Sequence, residues 1–143
     1  MLLANPGDST TVYIFDQNIK GGPWTVNGNK RDDLLDLRKK ITDSTPDDGT
    51  NIRGCLASAA AVFQNYGDDT RKKAVVLMTD GQDGGHDDAA IDKLAAMHIP
   101  VIAIGFGDVD EHDLRDVIAA KTGGSYIHKD SVVSALRDAA GFR

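Results

Sequence analysis

The sequence has a single cysteine, Cys55, among its 143 residues. One cysteine excludes an internal disulfide framework and a zinc site built on cysteine ligands. No apolar run approaches the ~18 residues that a membrane-spanning helix needs, so we expect no membrane span in this chain. The N-terminus also lacks the charged region and long apolar region of a signal peptide, and composition does not indicate a compartment.

The chain has fewer basic than acidic residues. It contains 16 Lys and Arg and 22 Asp and Glu, which gives a formal net charge of −6. With a pI near 5.0, this balance argues against nucleic acid as a partner and is compatible with cation binding. Hydrophobic residues make up 41% of the chain, and a chain of this length can bury about 70% of its unfolded surface. We therefore expect one domain over residues 1–143.

Hydrophobic periodicity predicts alternating strands and helices, most clearly in the second half of the chain. This alternation predicts an α/β fold with a doubly wound, mostly parallel sheet and helices on both faces. We expect the strand at 74–79 to lie beside the strand at 99–104, with 125–128 beyond it. The predicted strands are 11–15, 24–26, 74–79, 99–104 and 125–128, and helices are predicted over 30–41, from 52, after 88, from 110 and from 130.

Two short segments carry the residues most suited to binding a ligand. Asp48-Gly49-Thr50-Asn51 directly precedes the strongest helical pattern, and residues 79–85 directly follow the apolar run 74–78. Ligands of open α/β sheets gather outside the carboxyl ends of the strands. A hydroxyl from Thr50 and a carboxylate from Asp80 would suit a hard divalent cation there. Each segment taken alone is also typical of an ordinary turn or helix cap.

Five segments span nearly the whole chain: 11–15, 48–52, 75–81, 100–107 and 122–126. In their residues and their order, they resemble the von Willebrand factor type A domain. It implies a protein-binding module in which Mg²⁺ or Mn²⁺ at a metal-ion-dependent adhesion site takes an acidic group from a partner protein. By the same resemblance, Thr50 is a metal ligand and Asp80 another, commonly through water. The surrounding ligand face would consist of Gly49, Asn51, Gly81, Gln82 and Asp83.

The family's first metal loop, Asp-x-Ser-x-Ser, has no match in this sequence. Asp16-Gln17-Asn18 follows a strand, but glycines and Pro23 follow it where the family has a helix. By the same resemblance, we expect the chain to start after the family's first strand and most of its first helix. It would then be a fragment of a longer protein, a chain completed by another molecule, or a domain with a degenerate site. We therefore expect the cation to bind weakly here or to be absent.

Two other functions stay open beside the binding module. One is a magnesium-dependent hydrolase or phosphoryl-transfer enzyme using Asp80, although only Asp83 and Asp108 offer a second acid and we expect no catalysis. The other is a metal-free scaffold module. Asp88 is interpreted as part of the charged face of a surface helix, and Cys55 as a core residue. The resemblance is nearest to bacterial members carried in larger surface or secreted proteins, which suggests an extracytoplasmic parent.

Overall fold

The computed structural model describes residues 7, 9–15, 19–43, 50–65, 72–79, 88–105 and 109–128. The chain divides into two compact units, Met1–Asn51 and Ile52–Arg143. Each unit has its own sheet. The predicted helix from residue 130 lies outside the described residues.

The first unit is a β-hairpin followed by a helix. Strand β1 (Ser9–Phe15) pairs antiparallel with β2 (Ile19–Asn27), and α1 (Arg31–Thr42) follows. The sequence predicts a short strand over 24–26, but β2 is longer. Irregular pairing with β1 keeps the preceding glycine-rich residues in the strand. The core of this unit is formed by Val26, Leu34 and Leu37, with Val12, Trp24 and Ile41 packed against it.

The second unit is built around a parallel three-stranded sheet of order β3-β4-β5. Val75 pairs with Val101 and Ala103 with Tyr126, so all three strands run in the same direction. The predicted order of these strands is confirmed, and so is the mixed α/β fold. The elements are α2 (Ile52–Gln64), β3 (Val75–Thr79), α3 (Ala89–Ala96), β4 (Val101–Gly105), a π-helix (Asp113–Ala119), α4 (Ala120–Thr122) and β5 (Ser125–His128).

Helical spacing predicts an apolar face of α2 formed by Ile52, Cys55, Leu56, Ala59 and Phe63, and the structure buries part of it. Ile52, Leu56 and Ala60, spaced four residues apart, are buried, while Cys55 is half-buried. Arg53 is also buried on this helix, which hydrophobic periodicity did not predict. The largest fully buried side chains of the unit are Ile52, Leu56, Ile91, Leu94, Ile99, Val101, Ile104, Leu114 and Ile118.

A continuous apolar run such as 74–78 predicts a strand buried on both faces, but β3 is less buried than that. Val76 is 42% exposed, whereas Leu77 and Thr79 are buried. Successive side chains of a strand point to opposite faces, so Leu77 and Thr79 share one face and Val76 lies on the other. Within the described sheet β3 is an end strand, which leaves Val76 with strand neighbours on one side.

The connection from α4 to β5 has the geometry that its glycines predict. Gly123 adopts a left-handed φ of 75°, and the Gly124 N–H donates to the Ala119 carbonyl at 2.9 Å. This arrangement satisfies carbonyls that the end of the helix leaves free. Gly124 is required for a second reason, since a Cβ there would overlap the backbone of Val101.

Candidate functional site

The candidate site lies at the edge of the sheet where the parallel strands end. The last residues of β3 and β4, Thr79 and Gly105, are paired in register, and Gly105 is paired in turn with His128 at the end of β5. The three strands therefore finish level with one another. The connections after β3 and β4 leave from this edge, where ligands of open α/β sheets bind.

Of the predicted site residues, the structure describes Thr50 and Asn51. Both are half-buried and directly precede α2. Asp80 follows Thr79 directly in the sequence and itself lies outside the described residues. The same holds for Gly49, Gly81, Gln82, Asp83, Asp16, Asn18 and Asp108. The convergence of Thr50 and Asp80 on a cation stays a prediction.

A polar cluster at the ends of β4 and β5 was not predicted. The Tyr126 hydroxyl lies 3.5 Å from Glu111 Oε1 and 3.4 Å from His128 Nδ1. Burial, and then the nearby Glu111 carboxylate, raise the pKa of the Tyr126 phenol. Gly105 makes room for this ring, because a Cβ there would lie 3.0 Å from the Tyr126 hydroxyl and 2.8 Å from Val109 Cγ2. Tyr126 and His128, two residues apart on one strand, share a face and could have signalled this cluster.

A second cluster, which we call the Arg53 cluster, consists of Arg53, Asp88, Asp113 and Lys121. Arg53 Nη1 and Nη2 donate to the two carboxylate oxygens of Asp113 at 2.8 and 2.7 Å. Arg53 Nε and Nη2 donate to Asp88 Oδ1 at 3.2 and 3.1 Å. Lys121 Nζ donates to the other Asp88 oxygen at 3.1 Å. The cluster carries two positive and two negative charges, so it is neutral as a whole.

The Arg53 cluster corrects the interpretation of Asp88 as a solvated surface charge. Its carboxylate is held by Lys121 and Arg53, and the hydrogen bonds from these two cations lower the pKa of Asp88. Arg53 itself has a side chain only 10% exposed. The available signal was an arginine in the first turn of an apolar helix, because a buried arginine needs an acidic partner elsewhere in the chain.

The described residues offer no further metal site and no membrane span. Within these ranges, no three His, Cys, Asp or Glu side chains lie close enough together to hold a metal ion. No helix in the same ranges is both long enough and apolar enough to cross a membrane.

Comparison with known proteins identifies the family. The sequence model of the von Willebrand factor type A domain matches residues 5–127. The chain belongs to this family. A solved structure of a von Willebrand factor type A protein from Catenulispora acidiphila superposes with a TM-score of 0.78 over 98% of this chain, at 18% identity. That similarity confirms the type A fold, and this chain spans about a third (34%) of that protein's length.

Two further comparisons add little to the assignment to the type A family. An uncharacterized membrane spanning protein from Vibrio fischeri is 17% identical, covers 96% of this chain and 75% of its own, and superposes with a TM-score of only 0.42. A comparison with curated proteins found no match. The absence of the family's first strand stays a prediction.

Proposed function

We propose that this type A domain binds a partner protein at the carboxyl edge of its sheet, and that a divalent cation contributes to this binding when the metal loop is complete. Membership of the family supports an interaction module in general. The observation that carries the location is the level ending of the parallel strands at Thr79, Gly105 and His128. Asp80 follows the first of these residues directly.

The proposed cation ligands are oxygen atoms only. Thr50 offers a neutral hydroxyl directly before α2, and Asp80 offers a carboxylate that acts through a water molecule. Mg²⁺ and Mn²⁺ prefer such ligands. A coordination position left open by the protein would take a carboxylate from the partner. An acidic group on the partner is therefore the chemistry that this site would recognise.

Binding to matched peptides tests the proposal directly. Immobilised glutamate-containing peptides and their glutamine counterparts would be compared with millimolar Mn²⁺ and with chelator. We expect binding that needs both Mn²⁺ and the carboxylate, and that Asp80→Ala abolishes. Asp92→Ala, on an exposed position of α3, is the matched control. Binding that survives both chelator and Asp80→Ala would instead support the metal-free scaffold.

The alternative enzyme function has its own test. A Mg²⁺-dependent hydrolase using Asp80 would turn over a generic aryl phosphate. We expect no turnover above the buffer rate. Hydrolysis that needs Mg²⁺ and disappears in Asp80→Asn would replace the binding module by the enzyme.

A further inference from the structure

The Arg53 cluster joins the beginnings of three helical segments. Arg53 is the second residue of α2, and Asp88 stands directly before α3. Asp113 is the first residue of the π-helix. Asp88 lies 35 positions and Asp113 lies 60 positions from Arg53 in the sequence. One guanidinium group therefore connects three distant parts of the chain.

All three helical starts lie at the edge of the sheet where the strands end, which is the edge of the candidate site. A helix that follows a parallel strand starts on the side where that strand ends. The segments after β3 and β4 are α3 and the π-helix. Contact between Arg53 and Asp113 places the start of α2 on the same side. Thr50, the proposed hydroxyl ligand, precedes Arg53 by three residues.

Asp88 shows that the cluster is more than a set of helix caps. It occupies the N-cap position of α3, yet within the described residues its side chain makes no capping hydrogen bond. Its carboxylate oxygens are taken by Arg53 and Lys121 instead. Asp110 is different, because its carboxylate does cap its own helix by accepting the Asp113 N–H at 3.1 Å.

A buried ion pair is a poor source of stability, because desolvation of the charges offsets much of their attraction. Its better-attested use is to specify geometry, and the planar arginine fork fixes both distance and angle to its carboxylates. We propose that Arg53 is a positioning residue that holds the first turns of α2, α3 and the π-helix in one fixed arrangement behind the ligand edge. The functional part of this proposal, that this arrangement sets the affinity of the edge, rests on the proposed function.

Amide hydrogen exchange tests the positioning role without any ligand. The reporters are Asp92 N–H, bonded to the Asp88 carbonyl at 2.9 Å, and Leu114 N–H, bonded to the Asp110 carbonyl at 3.1 Å. Leu56 N–H reports on α2 through the regular helical pattern. Arg53→Lys keeps the charge and loses the fork. We expect exchange at all three reporters to rise together, by about tenfold or more, because hydrogen bonds to charged groups are lost.

Arg115→Lys is the matched control, since Arg115 is exposed and pairs with its neighbour Asp116. In Arg115→Lys we expect wild-type exchange at all three reporters. Exchange at Ile104 in β4 should be unchanged in both variants. A rise confined to Leu56, or an equal rise at Ile104, would overturn the positioning role. Asp113→Asn is the second variant should Arg53→Lys not fold, and it must raise exchange at Leu56 as well as at Leu114.

Paramagnetic broadening by Mn²⁺ separates this proposal from the proposed function. In the full chain, we expect Arg53→Lys to lose most of the site-specific broadening that millimolar Mn²⁺ produces in the wild type, because the first turns behind the ligand edge are no longer held together. Unchanged affinity beside raised exchange would overturn the functional part of the proposal. If Mn²⁺ binds at no site in the wild type, this chain has no metal-dependent function of its own, and the exchange result alone decides whether Arg53 positions the three helices.

Discussion

Thr122 connects the start of β4 to the end of the helical segment that precedes β5. Its Oγ1 accepts the backbone N–H of Val101 at 3.0 Å and donates to the Ile118 carbonyl at 2.8 Å. Thr122 is 6% exposed, so both bonds are shielded from water. A single hydroxyl therefore connects β4 to the helix that leads into β5.

Replacement of Thr122 by valine should destabilise the protein measurably. Thr122→Val keeps the side-chain volume and leaves the Val101 N–H without this acceptor. An unsatisfied buried donor costs about 1–3 kcal/mol. Urea unfolding would measure the loss. Thr122→Ser retains the hydroxyl but loses a buried methyl group, so it reports the packing loss alone; a midpoint for Thr122→Val equal to that of the wild type would show that the hydrogen bond contributes nothing.

The adjacent glycines predict two different costs. Gly124→Ala places a Cβ against the Val101 carbonyl, and backbone atoms cannot move aside as a flexible side chain can. We expect a loss above about 3 kcal/mol, the upper end of ordinary overpacking. At Gly123 the space is open and only the left-handed φ resists a side chain, so Gly123→Ala should cost about 1–2 kcal/mol. Thermal unfolding would rank them, and the reverse order would contradict this account.

The elements that the sequence predicts well are those fixed by local pattern. The apolar run at Val101–Gly105 and the Thr122-Gly123-Gly124 turn contain their own determinants, namely burial, a hydroxyl and a left-handed φ. Arg53 is different, since its burial depends on acids that periodicity within α2 cannot reveal. The exposure of Val76 likewise depends on which strand ends the described sheet, which β3's own residues do not encode.

The candidate site divides in the same way. Thr50 can be proposed as a cation ligand from sequence because a hydroxyl directly before a helix is a local signal, and that role stays a prediction. The proximity of Glu111 to Tyr126 and His128 was missed, because it requires a helix start and a strand end to meet in space. A glycine at position 105 is equally uninformative until Tyr126 is seen to occupy the space that its missing Cβ leaves.

Cys55 should make the protein sensitive to alkaline pH. Burial raises the pKa of its thiol from 9.0 to about 11. Because the folded pKa is the higher one, the unfolded chain loses this proton first. The contribution to stability is complete below pH 9 and is lost as the pH rises towards 11. At about 1.36 kcal/mol per pKa unit, the loss in free energy of unfolding is at most about 2–3 kcal/mol.

Urea unfolding of the wild type and of Cys55→Ala between these pH values would isolate this effect. We expect the wild-type free energy of unfolding to fall more steeply than that of the variant. The native thiol should also react slowly with a disulfide reagent and rapidly in urea, since only the thiolate attacks. Parallel pH curves for the two proteins would show that Cys55 does not titrate differently on unfolding.

The last prediction concerns the cation. Thr50 and Asp80 supply one neutral hydroxyl and one water-mediated carboxylate, whereas cations of this kind are held by six or more oxygens, usually with direct carboxylates. With most positions left to water, the protein gains little over bulk solution. We therefore expect Mg²⁺ and Mn²⁺ to bind on the order of millimolar or more weakly. A parent carrying the Asp-x-Ser-x-Ser loop should bind much more tightly.

A thermal-shift titration with Mn²⁺ measures this affinity. Ligand at 100 times its dissociation constant adds about 2.7 kcal/mol to the free energy of unfolding, so a tight site would raise the melting temperature at low Mn²⁺. We expect no rise at micromolar Mn²⁺ and a small rise at millimolar Mn²⁺, smaller still in Asp80→Ala. A clear rise at micromolar Mn²⁺ that Asp80→Ala abolishes would mean that further ligands complete the site. Asp16, Asn18 and Asp83, which offer further oxygen ligands, would be the first to substitute.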